Sequence, residues 1–455
     1  MSVLDPNQKI NLEFFDYSQG LDVDTLMWRE ELSVQSAWLK ALCEAAYVTK
    51  EESNKLEAAL KKLASVVESG KFEWKVIDED IHMNFERWMT EECGDLGKKI
   101  HLGRSRNDLV ATTQRLFCCN QLTALSELAS QFTQALNEKA LEYIDVVVPG
   151  MTHVQAGQAI RLGSLFNSHA FAVISDLKRI EAAISSCMDY MPLGAAAFAG
   201  THLDINLDKL ATELAFSRAP QNTYFAVGDR DFIIDALSAQ SMLAVHISRM
   251  CEEFIFLSST FVGLLKLSPE WSSGSSIMPN KRNPDIIEIA RAKMARVIAA
   301  HSEAANIVRA VIPSYGSDLH ELKRTFVRST NELTSTIKVM TKFVASLSVD
   351  KVVAEHLLNL GHILATDITN NLVEKGSTFR DAYLKIKSSI IEADKLGLQI
   401  HQNKEFEHTT SFIQAVENRK NSGGSAKKQL IKSIDFVDKY LKQNSKFEKA
   451  AAFSS

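Results

Sequence analysis

The chain has 455 residues, which is enough for about three domains at roughly 150 residues each. Its formal net charge is -5, 24% of its residues are charged, and no block of basic residues occurs, so a nucleic-acid partner is not predicted. The N-terminal stretch does not read as a signal peptide, and no run of about 18 uncharged apolar residues could span a membrane. The six cysteines show no CxxC spacing, so we expect reduced thiols, no metal site and a cytoplasmic protein.

Three apolar stripes with helical spacing follow one another through the middle of the chain. Each is long enough to need an equally long partner, and no alternation of short β-branched runs with helices appears, so we predict an all-α fold with a central bundle of long helices. The stripes are Leu162, Phe166, Ala170, Val173, Leu177, Ile180 and Ile184; Ile233, Leu237, Ala244, Ile247, Cys251 and Phe254; and Ile287, Ala290, Met294, Val297, Ala304 and Val308.

Proline and glycine concentrate in the loops between these runs, and the loops are where chemistry is expected. The stretch "GRSRND" offers Ser105, Arg106 and Asn107 just before a helical run, which suits carboxylate recognition, although a solvated helix start explains it equally well. The stretch "PGMTHVQAGQ" places Thr152 and His153 after a Pro-Gly break, with Gln158 at its end.

The stretch "GSSIMPNKRNP", from Gly274 to Pro284, joins the second and third stripes. Asn283 and Pro284 predict a helix start, since proline suits the first helical position. That reading leaves Ser275 and Lys281 unexplained. A flexible loop with hydroxyl groups and a lysine beside a helix N-terminus is a candidate anion site.

A fourth loop, "SYGSDLHELK", adds Tyr315 and Lys323. Together the four loops supply cations, amides, hydroxyls and a histidine, which can exchange a proton near neutral pH. This inventory fits a small polycarboxylate that undergoes proton transfer.

These loops resemble the fumarase and aspartase superfamily, and "DEDIHMNFERWMTEECGDLGKKIHLGRSRNDLVATTQRL" is similar to its argininosuccinate lyase branch. The resemblance covers roughly residues 10 to 400. It implies a three-domain subunit with boundaries at 1–104, 105–356 and 357–455. It further implies a homotetramer with a twenty-helix core, five long helices from each subunit, and active sites that each draw loops from three subunits. The implied reaction is reversible cleavage of argininosuccinate to arginine and fumarate without a metal or an organic cofactor.

The resemblance also assigns roles to individual residues. Ser275 would be the base, Lys281 and Asn283 would stabilise the dianionic intermediate, and His153 would supply a proton while Thr152 holds a carboxylate. The substrate would be bound by Ser105, Arg106, Asn107, Gln158, Tyr315 and Lys323, with Asp24 and His320 on the arginine portion.

The chain departs from the family pattern mainly around the arginine portion of the site. A serine is replaced by glycine, an arginine and a proline by alanine, and a glutamine by histidine; further changes lie in "NTYFAVGDRDF". These positions are Gly20, Ala156, Ala159, His320, Phe225 and Gly228. They leave two alternatives open: a lyase of the same mechanism acting on another N-succinyl amino acid or diamine, and a non-catalytic relative such as the lens crystallins. Retention of Ser275, Lys281, Asn283 and His153 speaks against the second.

Overall fold

The structure is a computed structural model that describes residues 12–406 and 408–443. Helices form most of it, and the predicted all-α class is confirmed. The α-helices are α1 (Leu12–Ser18), α2 (Leu21–Asp24), α3 (Trp28–Glu44), α4 (Lys50–Glu68), α5 (Ile81–Cys93), α6 (Arg106–Glu142), α7 (Leu162–Cys187), α8 (Leu207–Glu213), α9 (Thr223–Gly228), α10 (Asp231–Ser258), α11 (Asp285–Val308), α12 (Glu321–Ser346), α13 (Lys351–Leu357), α14 (Ala365–Glu374), α15 (Phe379–Lys395), α16 (Phe412–Glu417) and α17 (Lys427–Gln443). The strands are β1 (Val147–Thr152), β2 (Gln155–Arg161), β3 (Leu265–Lys266), β4 (Ser273–Gly274), β5 (Arg282–Asn283) and β6 (Ser348–Val349).

The three predicted stripes lie on α7, α10 and α11. All of their residues are buried except Ile184 and Val308, which are partly buried at the ends of α7 and α11. Burying a stripe against a neighbouring helix removes its apolar surface from water, which is the main driving force for packing the bundle.

Two further long helices, α6 with 37 residues and α12 with 26, complete the bundle. The five helices pack in the order α6, α7, α10, α11, α12 and back to α6, and α10 also contacts α12 and α6. The stripe analysis did not locate α6, because this helix is enclosed by neighbours and buries polar side chains such as Thr112, Gln114 and Asn137 along with apolar ones. Its buried residues therefore form no single face.

The bundle has two ends that carry different loops. At the Ser105 end, α6 and α12 begin and α7 and α11 finish; buried Arg115 near the start of α6 donates to the backbone oxygen of Cys187 at the end of α7 (3.0 Å). At the hairpin end, α6 runs into β1 and β2, and Lys139 donates to the backbone oxygen of Leu347 just after α12 (2.8 Å).

The remaining helices pack around this bundle. The main hydrophobic core runs without a break from α3, α4 and α5 into the five long helices and includes α17 through Leu430, Ile434 and Val437. A separate core joins α14, α15 and α16. The domain boundaries stay a prediction; α13 crosses the one at residue 357, and α17 packs on α6 and α7.

Six short strands form three antiparallel pairs, and the sequence analysis predicted none of them. The largest is the β1–β2 hairpin, which occupies the stretch interpreted as a loop. A Pro-Gly pair and the small residues of "QAGQA" hide its alternation, so pattern reading favoured a loop. None of the six cysteines forms a disulfide bond in the part of the chain that the structure describes, and within residues 12–406 and 408–443 no helix is both long and apolar enough to cross a membrane.

Candidate active site

The start of α6 presents Ser105, Arg106 and Asn107 at the positive end of a 37-residue helix. Ser105 is the N-cap: its hydroxyl accepts from the backbone N–H of Asn107 (3.3 Å), and its own N–H donates to the Asp108 carboxylate (3.0 Å). The Arg106 guanidinium donates to Glu79 (2.9 Å) and to Asp80 (3.0 Å). The predicted helix start is therefore present, with its polar groups held in place.

Asp108 fixes the neighbouring loop, a role that the sequence analysis missed. Its side chain is fully buried, and its second oxygen accepts from the backbone N–H groups of Gly194 (3.0 Å) and Ala196 (2.8 Å). The same loop receives a hydrogen bond from Asn107 to the oxygen of Ala197 (3.4 Å). The acidic residue at the third helical position was the available signal, since it marks a capping box.

Asp24, Tyr315, His320 and Lys323 come together beside the start of α6. Buried Lys323 forms an ion pair with buried Asp24, and the Tyr315 hydroxyl is hydrogen-bonded to Nε2 of His320. The other carboxylate oxygen of Asp24 is buried and has no partner among residues 12–406 and 408–443. A Cβ added at Gly20 would lie 3.5 Å from that oxygen, so the glycine leaves space beside it.

The electrostatics of this cluster keep His320 neutral. Burial, aided by the charge of Lys323, lowers the pKa of His320 to about 3, and burial raises the pKa of Tyr315 to about 12. Burial works against the charge of Asp80, but His82 and Arg106 outweigh it and lower the pKa of that carboxyl group. At the Ser105 end, Arg106 and Lys323 are thus paired with carboxylates, while His320 and Tyr315 are neutral.

The hairpin end carries the second group of predicted residues. β1 and β2 pair so that Thr152 faces Gln155, and the two residues between them, His153 and Val154, form the tip. Thr152, His153 and Gln158 are all exposed. The hairpin therefore presents the imidazole away from the subunit's own core.

The stretch from Gly274 to Pro284 closes as a loop between β4 and β5. Oγ of Ser275 accepts from the backbone N–H groups of Met278 (3.0 Å) and Ile277 (3.3 Å). Two N–H donors favour negative charge on this oxygen, which is what a serine base requires. Lys281 is exposed at the end of the loop.

The helix after this loop begins one residue later than predicted. Pro284 has φ -84° and ψ 43°, so it is the N-cap, and α11 starts at Asp285. Asn283 lies in β5 and donates to the hydroxyl of Ser273 (3.3 Å). The prediction was wrong by one position because the ψ angle of Pro284 is not helical.

A single chain places the residues of the Ser105 end far from those of the hairpin end. The 37 residues of α6 separate Ser105 from the hairpin by about 55 Å, and the 24 residues of α11 separate Lys281 from Tyr315 by about 36 Å, at 1.5 Å per helical residue. The Ser105 end carries Ser105, Arg106, Asn107, Asp24, Tyr315, His320 and Lys323. At the opposite end, the β1–β2 hairpin carries Thr152, His153 and Gln158, and the separate β4–β5 segment carries Ser275, Lys281 and Asn283.

Known proteins are similar in sequence to this chain along nearly its whole length. Residues 14–299 match the family described as Lyase. An argininosuccinate lyase from Lawsonia intracellularis is 32% identical over 440 residues, which cover 94% of this chain and 95% of the relative. One from Candida albicans is 33% identical over 440 residues, covering 93% and 94%. The chain belongs to the argininosuccinate lyase family. It is therefore a carbon–nitrogen lyase.

Solved structures agree on the fold of this family member. A variant of EDDS lyase with bound fumarate superposes with a TM-score of 0.82 at 22% identity, covering 96% of this chain and 92% of that one. A class II fumarase from Schistosoma mansoni gives 0.72 at 15% identity, covering 87% and 89%. Both place the chain in the fumarase and aspartase fold.

Two buried residues near the site, His82 and Arg230, were not identified by the sequence analysis. His82 lies 2.8 Å from Glu31 in a fully buried pair; burial opposes its charge, but Glu31 and Asp80 outweigh burial and raise the pKa of the imidazole. Arg230 is buried behind Tyr315, and burial lowers its pKa to about 10. Within the part of the chain that the structure describes, no cluster of three or more His, Cys, Asp or Glu side chains is placed to hold a metal ion.

Proposed function

We propose that this lyase eliminates fumarate reversibly from argininosuccinate and so releases L-arginine. The observation that carries the proposal is the buried carboxylate of Asp24, which keeps one oxygen free of protein partners within residues 12–406 and 408–443. A cationic α-amino group satisfies such an oxygen, because a buried acceptor without a donor is costly. The neutral imidazole of His320 beside it adds no positive charge to repel the arginine portion.

The succinyl half of the substrate carries two carboxylates. Arg106, Ser105 and Asn107 offer a guanidinium, a hydroxyl and an amide at the positive end of α6. A guanidinium and a helix N-terminus both favour carboxylates, so this group is suited to the half that becomes fumarate. The name argininosuccinate lyase, shared by the curated relatives, agrees with a substrate that has both halves.

The proposed chemistry follows from the hairpin end. Ser275, as its alkoxide, takes the proton from the carbon beside a carboxylate, and Lys281 stabilises the resulting dianion. The electron pair then forms the carbon–carbon double bond of fumarate while the carbon–nitrogen bond breaks. His153 gives a proton to the departing guanidino nitrogen, and Thr152 and Gln158 hold the carboxylates.

This chemistry requires both ends of the bundle in one site. A separation of about 36 Å or more within the chain is far beyond the length of any substrate of this size. We infer a homotetramer in which the Ser105 end of one subunit meets the hairpin ends of others, with Asn283 and Lys281 contributed by a different subunit from Tyr315.

The deciding experiment is a fumarate-release assay, followed by ultraviolet absorbance, on argininosuccinate and a panel of other N-succinyl amino acids and diamines. Argininosuccinate should give the highest kcat/KM. The second candidate, a lyase for another N-succinyl compound, is favoured by the space at Gly20 and by the Tyr315–His320 hydrogen bond, which together reshape the arginine portion of the site. A higher kcat/KM for such a compound would select it. No fumarate from any of them would leave the non-catalytic alternative.

A further inference from the structure

The tip of the β1–β2 hairpin has an unusual backbone. His153 and Val154 both have positive φ, 55° and 59°, in a two-residue connection between Thr152 and Gln155. Two-residue hairpin turns with positive φ at both central positions normally use asparagine, aspartate or glycine. Histidine is found there occasionally, but a β-branched residue is a genuine outlier.

Val154 does not adopt this conformation to bury its side chain, which is 64% exposed. Within one subunit, apolar contact at the tip therefore does not offset the strain. Among the non-glycine residues with positive φ in the described part of the chain, Val154 is the single β-branched one. Backbone strain of this kind persists only where the surrounding structure imposes it, and it concentrates at functional sites.

The base of the hairpin supplies that constraint. Val147 and Ala159 are buried in a small core with Leu358, Ile363 and Val416. Arg161, at the end of β2, is buried, donates to the backbone oxygen of Ile144 (2.8 Å) and forms an ion pair with Glu417 of α16. The hairpin is thus held from the side of the C-terminal helices.

The alanines that replace larger family residues contribute to this anchoring. A Cβ added at Gly361 would lie only 3.2 Å from the Cβ of Ala156, so the segment after α13 passes close over the hairpin. An arginine side chain at position 156 would occupy that space. The departures at Ala156 and Ala159 therefore accompany close packing between the hairpin and the C-terminal helices.

We propose that Val154 is a positioning residue, whose left-handed backbone, imposed by the anchored hairpin, fixes the direction of the His153 side chain toward the substrate. The inference rests on the proposed function, in which His153 protonates the leaving nitrogen. Valine disfavours this conformation, so the paired and anchored hairpin, and not the preference of the residue, sets the backbone of the tip. Catalysis by a proton donor depends on such placement, since a displacement of about 1 Å can cost up to about a hundredfold in rate.

The test compares three variants in the assembled enzyme. Val154→Gly removes the strain but lets the tip sample both signs of φ. Val154→Asn keeps a residue that tolerates the left-handed region. Ala215→Gly is the matched control, because Ala215 also has positive φ (63°) and is exposed, but follows α8 away from both groups of site residues.

We expect Val154→Gly to lower kcat for argininosuccinate about tenfold while KM stays within about twofold, because placement and not substrate binding is lost. Val154→Asn should restore kcat to within about twofold of the parent, and Ala215→Gly should leave it unchanged. The melting temperature of Val154→Gly should equal or exceed that of the parent, since the strain is relieved.

Three results would overturn the inference: parental kcat in Val154→Gly, an asparagine variant as impaired as the glycine variant, or a melting temperature for Val154→Gly more than about 2 °C below the parent. A parent that releases no fumarate from any N-succinyl compound would overturn the proposed function itself, and the positioning role with it. The two failures are distinguished because the parent is assayed first.

Discussion

The two ends of the bundle differ in how much of their site one chain completes. At the Ser105 end, Asp24 and Lys323 are 2% and 3% exposed and already paired, and Arg106 is held by two carboxylates. At the hairpin end, His153 and Lys281 are exposed on a hairpin tip and a loop. The Ser105 end is therefore preorganised within one subunit, whereas the hairpin end exposes its polar groups. Under the proposed function, these exposed groups await substrate and a neighbouring subunit. This division separates variants that disturb chemistry from those that disturb binding or folding.

The largest expected effect is the loss of turnover when Ser275 is replaced. Replacing it by alanine removes the oxygen that accepts from Met278 and Ile277, and turnover should fall about 10³-fold or more if that oxygen is the base. The melting temperature should stay close to the parent's, because the loop packs little against the bundle. Ser276→Ala, next along the same loop and exposed, is the control and should keep parental turnover. A Ser275→Ala enzyme within tenfold of the parent would remove serine from the mechanism.

Mixing variants from opposite ends tests the shared site. Ser275→Ala and Arg106→Gln should each be inactive alone, but their lesions lie about 36 Å or more apart in one chain and so belong to different sites. Random reassembly of equal amounts should leave about one quarter of the sites free of both lesions, and activity should recover to that fraction. Mixed tetramers verified by mass that stay inactive would contradict sharing. Mixing Ser275→Ala with itself provides the baseline.

The free energy of unfolding of an Asp108 variant tests whether the Ser105 end is preorganised. Asp108→Ala leaves three backbone N–H groups, of Ser105, Gly194 and Ala196, without their acceptor, and should lower the free energy of unfolding by about 3 kcal/mol. Denaturant unfolding measures this change. Asp208→Ala, an exposed acidic residue in the first turn of α8, should change it by less than about 0.5 kcal/mol. Equal effects of the two would show that Asp108 is not a structural acceptor.

Features that depend on residues close together in the sequence could be predicted, whereas features that depend on residues far apart in the sequence could not. Apolar stripes on α7, α10 and α11 were predicted because each reports a single buried face, whereas α6 is enclosed and shows none. Ser105, Arg106 and Asn107 were placed correctly at a helix start because capping is local. The Asp24–Lys323 pair joins residues 299 positions apart, and its pairing, like the enclosure of His82, depends on tertiary packing that no local pattern encodes.

The family resemblance assigned roles to the site residues, but it could not give their surroundings. His320 stands where relatives have glutamine, and sequence alone left its charge open. The structure shows it partly buried, near the charge of Lys323 and hydrogen-bonded to Tyr315. The backbone of Val154 was likewise invisible, since a valine predicts an extended conformation.

The last effect, which is specific to this chain, appears only on acidification and concerns His320. Its pKa falls from the ordinary 6.5 to about 3 in the folded protein, chiefly through burial. Between these two values the unfolded chain binds a proton that the folded chain refuses, so the free energy of unfolding falls as pH falls from about 6.5 toward 3. The contribution is fully present above pH 6.5. His320→Gln cannot take up this proton, so its melting temperature should decline less on acidification than the parent's, with the gap opening below about pH 6.

Catalysis should show the complementary result. Because His320 is already neutral from pH 6 to 8, the KM of the parent for argininosuccinate should contain no titration that His320→Gln removes in that range. Parallel melting curves for the two proteins down to pH 4, or a KM that rises on acidification near pH 6.5 in the parent alone, would show that His320 titrates as an ordinary histidine and that its surroundings do not hold it neutral.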